Sequence, residues 1–397
     1  MMLDLDSALV RLRAVARPVT ASETLPLAQA LGRVLAEAVI APIDVPGFDN
    51  SAMDGYALNV ADFSQVLESF ALNGRIAAGE VGAALAPGEA ARIFTGAPIP
   101  DGANVVAMQE VCVAENGKVR VDAPLKTGMN IRRRGEDIST GRVVLAAGAR
   151  LAPQSLGLLA SIGVAQVQVL VPLKVALLST GNELTEPGQP LLPGKIYNSN
   201  RYALLGLLQK MGCSVTDFGI VPDNLGATVS TLARAAADHD VVMTSGGVSV
   251  GEEDHVKMAL QQLGELDLWQ VNIKPGKPFA LGRIGSADFI GLPGNPVSAF
   301  VTFLMLARPF LLGRMGLVHT DPLRLKLSAA FEWRKADKRH NFLRARLTHD
   351  GQVELFPHQG SGVLTSLVWS DGLVELAPGR TVAPGEWVSY LPLANLV

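Results

Sequence analysis

The sequence contains only two cysteines, Cys112 and Cys213, and neither belongs to a Cys-x-x-Cys pair or to a cluster of cysteines and histidines. A disulfide-stabilised scaffold and a structural zinc site are therefore both unsupported. The six histidines show no spacing typical of metal ligands. The chemistry of this chain has to come from other residue types.

An excess of positive charge is also missing. Lysine and arginine together number 34 against 37 aspartates and glutamates, which gives a formal net charge of -3. Nucleic-acid binders usually carry a basic excess, so this balance argues against nucleic acid as a partner. The run Arg132-Arg133-Arg134 is followed by Glu136 and Asp137, which we expect to neutralise it locally.

No signal peptide is visible, because the first residues are acidic and lack a basic start followed by an apolar stretch. Residues 156–173 hold no charged residue and approach the length of a membrane span. Gly163 divides that stretch, and the alternation beyond it predicts a short helix, a turn and a strand. We therefore expect a cytoplasmic protein without a membrane span.

The 397 residues are 48% hydrophobic, which is ample for packed cores and suggests two to four domains. Residues 1–41 show two apolar stripes, one from Leu9 to Val15 and one from Leu27 to Leu35, and are predicted to be helical. Together with residues 143–170 they form a predicted helical linker domain. Residues 42–142 are rich in glycine and proline, carry the hairpin signal Asn116-Gly117, and form a predicted inserted β-rich domain.

Strand and helix patterns alternate over residues 171–316. Asn200 is the predicted cap of a helix that ends before Gly212, and Asn295 the predicted cap of one that begins with Pro296. The alternation predicts a doubly wound α/β domain with a largely parallel sheet, whose ligands bind beyond the carboxyl ends of the strands.

The strand pattern returns over residues 317–397, with a second hairpin signal at Asp350-Gly351. We predict a small C-terminal β-barrel there. The predicted fold is thus multidomain α/β plus β, with an N-terminal helical region, an inserted β domain, an α/β domain and a C-terminal barrel.

Three loops of the α/β domain follow predicted strands and have the composition of anion sites. Glycines let backbone N–H groups approach an anion, hydroxyls add donors, and helix N-termini attract negative charge. The candidate ligand-binding residues are Ser179, Thr180, Gly181, Ser245, Gly246, Gly247, Ser249, Pro293 and Asn295.

Charged residues accompany these loops. Lys274 and Lys277 lie in a turn stiffened by two prolines, which suits two ammonium groups held near a charged substrate. Glu183, Asp223 and Asp254 each follow a predicted strand, and such carboxylates beside phosphate-binding loops predict Mg²⁺. For Asp223 the alternative is equally good, since Asp223-Asn224 also precedes a helix and can cap it.

Eight segments, in order, resemble those of the molybdopterin molybdenumtransferases, the MoeA-type family that includes the E domain of gephyrin. The resemblance covers essentially the whole chain, and the segments are SAMDGYAL (51–58), RIFTGAPIPDGANVVAMQE (92–110), NIRRRGEDI (130–138), STGNEL (179–184), TSGGVSVGEEDHV (244–256), IKPGKP (273–278), GLPGNPVS (291–298) and HQGSG (358–362). The segments at 51–58 and 130–138 lie outside the α/β domain and favour this family over the molybdopterin adenylyltransferases. The sequence departs from the family pattern at Asn104 and Asn182, where aspartate is common.

The resemblance implies a homodimer whose site lies between the α/β domain of one subunit and the inserted β domain of the other. It implies that adenylylated molybdopterin and molybdate bind together and that a Mg²⁺-dependent cleavage of the phosphoanhydride releases AMP. A molybdopterin adenylyltransferase and apo-molybdoenzymes are the implied protein partners. The implied catalytic positions are Asp54, Asp137, Asp223, Asp254, Lys274, Lys277, Arg344 and Ser361, with Arg339 and Arg346 as rivals to Arg344.

Two other functions stay open at this point. A non-catalytic scaffold could keep the pterin-binding fold, although it would not need the acidic and lysine positions, all of which are present. A molybdopterin adenylyltransferase would need only the α/β domain. The motifs do not distinguish molybdenum from tungsten, since enzymes that insert tungsten share them.

Overall fold

The computed structural model describes residues 2–64, 69–247 and 255–396. The predicted site residues Ser249 and Asp254 therefore lie outside the described residues. Contacts divide the chain into two compact units. The first comprises Met1–Glu23, Gly32–Ala36 and Val169–Val397, and the second comprises Thr24–Leu31 and Glu37–Gln168.

The first unit is built on a seven-stranded sheet. In spatial order its strands are Met2–Leu3, Gly264–Val271, Pro278–Ile284, Ala287–Leu292, Val241–Ser245, Lys174–Thr180 and Ser214–Val221. Only Pro278–Ile284 runs against the others, since it pairs antiparallel with both neighbours. The prediction of a largely parallel sheet is confirmed, although the strands Gly264–Val271 and Pro278–Ile284 were not predicted.

Helices cover both faces of this sheet. Along the strand Lys174–Thr180, Val175 and Leu177 face one hydrophobic core, whereas Ala176 and Leu178 face the other. The alternation reflects the two-residue period of a strand and explains why residues 175–178 are all apolar. The longer helices of this unit, within the described residues, are Leu5–Val15, Ser199–Met211, Leu225–Asp238, His255–Leu263, Pro296–Thr302 and Arg308–Arg314, the last two joined by a π-helical turn over Phe303–Ala307. The doubly wound architecture is thus confirmed.

The capping residues explain where two of these helices begin. Asn198 caps the helix Ser199–Met211, because its side chain accepts a hydrogen bond from the backbone N–H of Arg201, and Gly212 ends it with φ 91°. The prediction that Asn200 is the cap was wrong: the side chain of Asn200 donates to the carbonyl of Gly294 instead. Asn224 caps the helix Leu225–Asp238 by accepting from the N–H of Ala227.

The stretch Pro296–Arg314 is the one helical segment in the described part of the chain with the length and composition of a membrane span. In the structure 78% of its most apolar window is buried inside the protein. It is packed as a core helix, with Phe303, Leu306 and Phe310 fully buried. Residues 156–173, by contrast, form the end of the helix Pro153–Ser161, a turn at Gly163 with φ 79°, and the strand Gln166–Leu170, as predicted.

The N-terminal region is only partly helical. The helix Leu5–Val15 forms as predicted and is capped by Asp4. The prediction of a second helix, over the stripe from Leu27 to Leu35, is wrong. The helical part of this stretch is a single 3₁₀ turn, Leu27–Gln29, between the strands Ser22–Pro26 and Val39–Ile40. Gly32 adopts φ 77°, a conformation that interrupts a helix.

The second unit is dominated by a six-stranded sheet with its own hydrophobic core. In spatial order its strands are Val105–Met108, Gly55–Leu58, Glu89–Ile93, Phe70–Ile76, Lys118–Val121 and Cys112–Glu115. The predicted hairpin is confirmed, with Asn116 at φ 51° and Gly117 at φ 71°. Short strands and turns complete the unit: Asn50–Ser51 pairs with Ile131–Arg132, Val39–Ile40 pairs with Val143–Leu145, and Gln109–Val111 forms a 3₁₀ turn.

The C-terminal residues form a curled sheet within the first unit. Its strands in order are Ile273–Lys274, His340–Leu347, Gly372–Leu376, Trp387–Pro392 and Leu325–Ser328, and Val353–Leu355 pairs with His340–Leu347. A bridge between Ala329 and Val353 joins the two sides of the curl, which confirms the barrel-like prediction. The predicted turn at Asp350-Gly351 is also present, with Gly351 at φ 74°. The remaining short elements of the unit are the strands Leu184–Thr185 and Ile196–Tyr197 and the helices Thr365–Trp369 and Leu393–Leu396.

Candidate active site

Three parallel strands of the large sheet end side by side. Ser179 is in register with Ser245, and Ser245 is in register with Leu292. The loops that follow these strands therefore meet at one edge, where they line a cleft of about 1130 Å³. This is the place where open α/β sheets bind ligands.

Glycines shape the floor of this cleft. Gly246 and Gly247 have φ of 89° and 67°, a region that favours glycine. A Cβ on Gly246 would lie 2.8 Å from the carbonyl oxygen of Thr180, and one on Gly247 would lie 2.4 Å from Cγ2 of Val256. Side chains are thus excluded here, and the backbone is left accessible to a ligand.

Most of the predicted site residues in the first unit share this cleft. Those that line it are Thr180, Gly181, Glu183, Asp223, Ser245, Gly246, Gly247, Lys274, Lys277, Pro293, Asn295 and Ser361. Ser179 is fully buried within its strand and does not line the cleft. The role predicted for each of these residues stays a prediction.

The turn that carries Lys274 and Lys277 contacts both the curled sheet and the helix Pro296–Thr302 of the first unit. Ile273–Lys274 pairs in parallel with His340 and Asn341 of the curled sheet. Gly276 has φ 101°, and a Cβ there would lie 2.1 Å from Oγ1 of Thr302. The turn is therefore tightly seated, and it directs Lys274 and Lys277 to the cleft.

Asp337 organises two cations of the cleft, and nothing in the sequence distinguished it. Its Oδ2 accepts from Lys274 Nζ at 2.8 Å, and its Oδ1 accepts from Arg339 Nε at 3.3 Å. The hydrogen bond from Lys274, with those from Arg339, holds the pKa of Asp337 well below its usual range. Arg339 lines the cleft, so one carboxylate positions two cationic side chains there.

Arg344 has a different position from the one a catalytic arginine needs. It is fully buried and does not line the cleft. Its guanidinium donates to the carbonyl of Gly360 at 3.2 Å and to Oγ of Ser366 at 3.1 Å, and burial lowers its pKa to about 10. Arg344 therefore braces the loop that carries Ser361.

Arg339 and Arg346, the alternatives to Arg344, differ in whether they line the cleft. Arg339 lines the cleft. Arg346 pairs with Glu354 at 2.5 Å and lies 4.3 Å above the ring of Trp369, outside the cleft. Of the three arginines, Arg339 alone has access to a ligand in the cleft.

Among the described residues two carboxylates line the cleft, Glu183 and Asp223, and both are exposed. Asp223 is not the helix cap, because Asn224 fills that position. Within the described residues no group of three or more histidine, cysteine, aspartate or glutamate side chains is gathered around one point. Mg²⁺ nevertheless binds through one or two protein carboxylates when substrate phosphates supply further oxygens. Glu183 and Asp223 fit this mode of binding.

Several polar atoms at the cleft have no hydrogen-bond partner within the described part of the chain. They are Oγ1 of Thr180, Nδ2 of Asn198 and Nδ1 of His255, each enclosed by protein. A buried polar group without a partner costs free energy, so native proteins rarely leave several together. All three residues line the cleft.

The remaining predicted residues, Asp54 and Asp137, belong to the second unit. Oδ1 of Asp54 accepts from the N–H and from the hydroxyl of Thr95, both at 2.8 Å. The backbone bond from Thr95 is the main cause of a lowered pKa for Asp54. The Asp137 side chain is exposed, and its backbone N–H donates to the carbonyl of Val45.

Two arginines of the run beside Asp137 form ion pairs, but not with the residues predicted. Arg133 pairs with Asp49 at 2.5 Å, and Arg134 pairs with Asp44 at 2.6 Å. Glu136 accepts from the backbone N–H of Arg133 rather than from its guanidinium. The expectation that Glu136 and Asp137 neutralise the run was therefore wrong.

Asn104, one of the departures from the family pattern, also belongs to the second unit. Its side chain accepts from the N–H of Val60 at 3.1 Å and donates to the carbonyl of Val60 at 2.8 Å. A carboxylate could only accept, so the amide suits this backbone partner.

Comparison with known proteins matches the chain along its length. Family profiles described as the MoeA N-terminal region (domain I and II), a probable molybdopterin binding domain and the MoeA C-terminal region (domain IV) match residues 3–163, 176–313 and 326–393. The molybdopterin molybdenumtransferase of Haemophilus influenzae is 43% identical over 386 residues, which cover 95% of each chain. The chain belongs to the molybdopterin molybdenumtransferase family.

Other relatives support the same membership. The molybdopterin molybdenumtransferase of Synechococcus elongatus is 38% identical over 92% of this chain and 93% of its own. A crystal structure of the molybdopterin biosynthesis MoeA protein of Pyrococcus horikoshii has a TM-score of 0.86 at 30% identity and covers 99% of this chain and all of its own. The chain is accordingly a transferase of molybdenum cofactor biosynthesis.

Proposed function

We propose that the enzyme takes its molybdopterin in adenylylated form, inserts molybdate into the dithiolene, and releases AMP by Mg²⁺-dependent cleavage of the phosphoanhydride. One observation carries this proposal: a single cleft combines glycine loops, three cations and two carboxylates with polar atoms that lack partners within the described residues. Such a set matches a substrate with several phosphate oxygens.

Electrostatics define what the residues of the cleft have to do. A polyanionic substrate and the molybdate dianion repel each other, and this repulsion is strong where water is excluded. Lys274, Lys277 and Arg339, which line the cleft, offset it. Asp337 keeps two of these cations in place before the substrate arrives.

Glu183 and Asp223 would hold Mg²⁺, with Asp254 as the third predicted ligand. The ion would polarise oxygens of the phosphoanhydride. Ser361 lies on the loop braced by Arg344, and its carbonyl accepts from the N–H of Val297 at the start of a helix. That contact fixes Ser361 beside the cleft, where its hydroxyl is available to the substrate.

We further propose a homodimer in which the cleft of one chain is completed by the Asp54 and Asp137 loops of the other. The enzyme would work in the cytoplasm, between a molybdopterin adenylyltransferase that supplies its substrate and the apo-molybdoenzymes that take its product. The support is the resemblance of the segments at 51–58 and 130–138 to those of the family.

The test is AMP release by the purified protein from adenylylated molybdopterin. Release should require molybdate and a divalent metal together, and omission of either should reduce it to background. Consumption of ATP with adenylyl transfer to molybdopterin would replace this proposal with the adenylyltransferase function. Release that ignores molybdate would separate the hydrolysis from metal insertion and contradict the proposal.

A further inference from the structure

Asn198, which lines the cleft, carries a side-chain donor without an acceptor among the described residues. The residue is 1% exposed and lines the cleft, yet its Nδ2 has no acceptor within the described residues. The orientation of this amide is fixed by the helix cap, because Oδ1 must face the N–H of Arg201 to accept from it at 3.3 Å. The nitrogen therefore occupies the remaining position and can only donate.

The surroundings of Asn198 favour an anion as the missing acceptor. Asn198 begins a helix of 13 residues, whose N-terminus carries partial positive charge. The side chain of Asn200 donates to the carbonyl of Gly294, so the loop Pro293–Asn295 lies against the same helix end. Asn295 makes no side-chain capping bond of its own.

The nearby arginine does not supply the charge at this point. Arg201 is engaged by Asp217 through Nε at 2.6 Å and by Glu186 through Nη1 at 2.6 Å. Its guanidinium is thereby neutralised inside the protein. Recognition at this end of the cleft falls to neutral donors and the helix end, whereas the cations stand on the lysine turn.

We propose that Asn198 and the N-terminus of its helix form a subsite for one tetrahedral oxyanion of the substrates, with Nδ2 donating to an anion oxygen. This inference rests on the proposed function for the identity of the anion, which is either molybdate or the phosphate of the adenylyl group. Both share the same geometry and acceptor chemistry.

Asn198→Asp tests the subsite while preserving the helix. Aspartate caps helices as well as asparagine, so the acceptor for Arg201 is kept, but the donor becomes a repelling oxygen. The control Gln209→Glu adds the same charge to the exposed last turn of the same helix. Asn198→Ser removes the amide donor without a charge and carries the test if the aspartate variant fails to fold.

The measurement is calorimetric titration of each protein with molybdate and, separately, with AMP. We expect Asn198→Asp to weaken the binding of at least one anion by about tenfold or more, with Gln209→Glu unchanged. Loss for molybdate alone assigns the subsite to molybdate, and loss for AMP alone assigns it to phosphate. Wild-type affinity of both Asn198 variants for both anions, or no binding of either anion by the wild-type protein, overturns the inference.

AMP release by the wild-type enzyme is recorded in parallel, so the two claims fail separately. Absence of release would sink the proposed reaction. Weaker anion binding by the Asn198 variants would then still stand as evidence for the subsite.

Discussion

The cleft of the first unit and the acidic loops of the second differ in how their polar groups are satisfied. In the cleft, Thr180, Asn198 and His255 each keep an enclosed atom without a partner among the described residues. In the second unit, Asp44, Asp49 and Asp54 accept hydrogen bonds from backbone N–H groups of their own unit. The polar atoms named in the cleft lack partners among the described residues, whereas the carboxylates named in the second unit have backbone partners.

This difference separates residues that receive a ligand from residues that hold a shape. A polar group left unsatisfied in the folded protein is retained where a ligand satisfies it. A carboxylate that accepts from the backbone stabilises its loop and so fixes the position of its neighbours. We therefore expect substitutions in the cleft to change activity alone and substitutions of Asp44 or Asp49 to change stability. Substitution of Asp54, which is also a proposed site residue, should change both.

The largest effect is expected for Asp223→Asn. Because Asn224 caps the helix, Asp223 has no structural task, and its loss removes a proposed ligand of Mg²⁺. AMP release should fall roughly 100-fold or more, with an unchanged melting temperature. The matched variant is Asn224→Ala, which should cost about 1 kcal/mol of stability and keep its turnover. The reverse pattern would make Asp223 the structural residue of the pair.

A smaller effect is expected for Asp337→Asn. Loss of the carboxylate frees Lys274 and Arg339 from their common partner, so both cations remain but are less well positioned. We expect substrate affinity to fall by roughly tenfold, more at high ionic strength than at low. Glu354→Gln is the control, since it breaks the pair of Arg346 outside the cleft. Equal affinity of both variants at every salt concentration would remove Asp337 from the account.

The smallest effect concerns stability in acid. Hydrogen bonds from Thr140, and then Arg134, lower the pKa of Asp44 from 3.8 to about 2. A lowered folded pKa means that Asp44 stabilises the fold above about pH 4 and that this contribution is lost as the pH falls towards 2. Asp44→Asn should therefore lower the melting temperature near neutrality and flatten its decline between these pH values. Asp101→Asn, at another exposed aspartate of the same unit, should follow the wild-type curve.

Much of the fold was predictable because it follows from local periodicity. The apolar strand around Val175 to Leu178 and the turns at Asn116-Gly117 and Asp350-Gly351 are encoded within a few residues. The helix predicted over Leu27 to Leu35 was wrong because apolar spacing alone cannot show that Leu35 lies in an extended segment, where it forms a β-bridge with Val169. The strands Gly264–Val271 and Pro278–Ile284 were not predicted although their pairing is local. Gln270 pairs with Pro278, and Ile284 pairs with Ala287 across a turn at Gly285, which has φ 59°.

The loops that form the site could be predicted from the sequence. Which residues line the cleft and which only position those residues could not. The glycine loops and the lysine turn can be recognised from their amino-acid composition. Asp337 cannot be recognised in this way, because its contribution to the site is a hydrogen bond from Lys274, 63 residues away. Arg344 and Arg339 look equivalent in sequence, and only burial shows that the first braces a loop while the second lines the cleft.

The central claim is that the cleft of one chain and the loops of another make one active site. Asp54→Ala and Asp223→Ala should each give an inactive dimer, since each removes one part from both sites. In a mixed dimer one site collects both lesions and the other collects neither. Random exchange of subunits makes half of the dimers mixed, each with one intact site of two.

The measurement is AMP release after the two inactive proteins are co-expressed with different tags and mixed dimers are confirmed by tandem purification. The account predicts recovery of about a quarter of wild-type activity in the unfractionated mixture. No recovery, with mixed dimers present, would show that each site forms within one chain and would contradict the shared site.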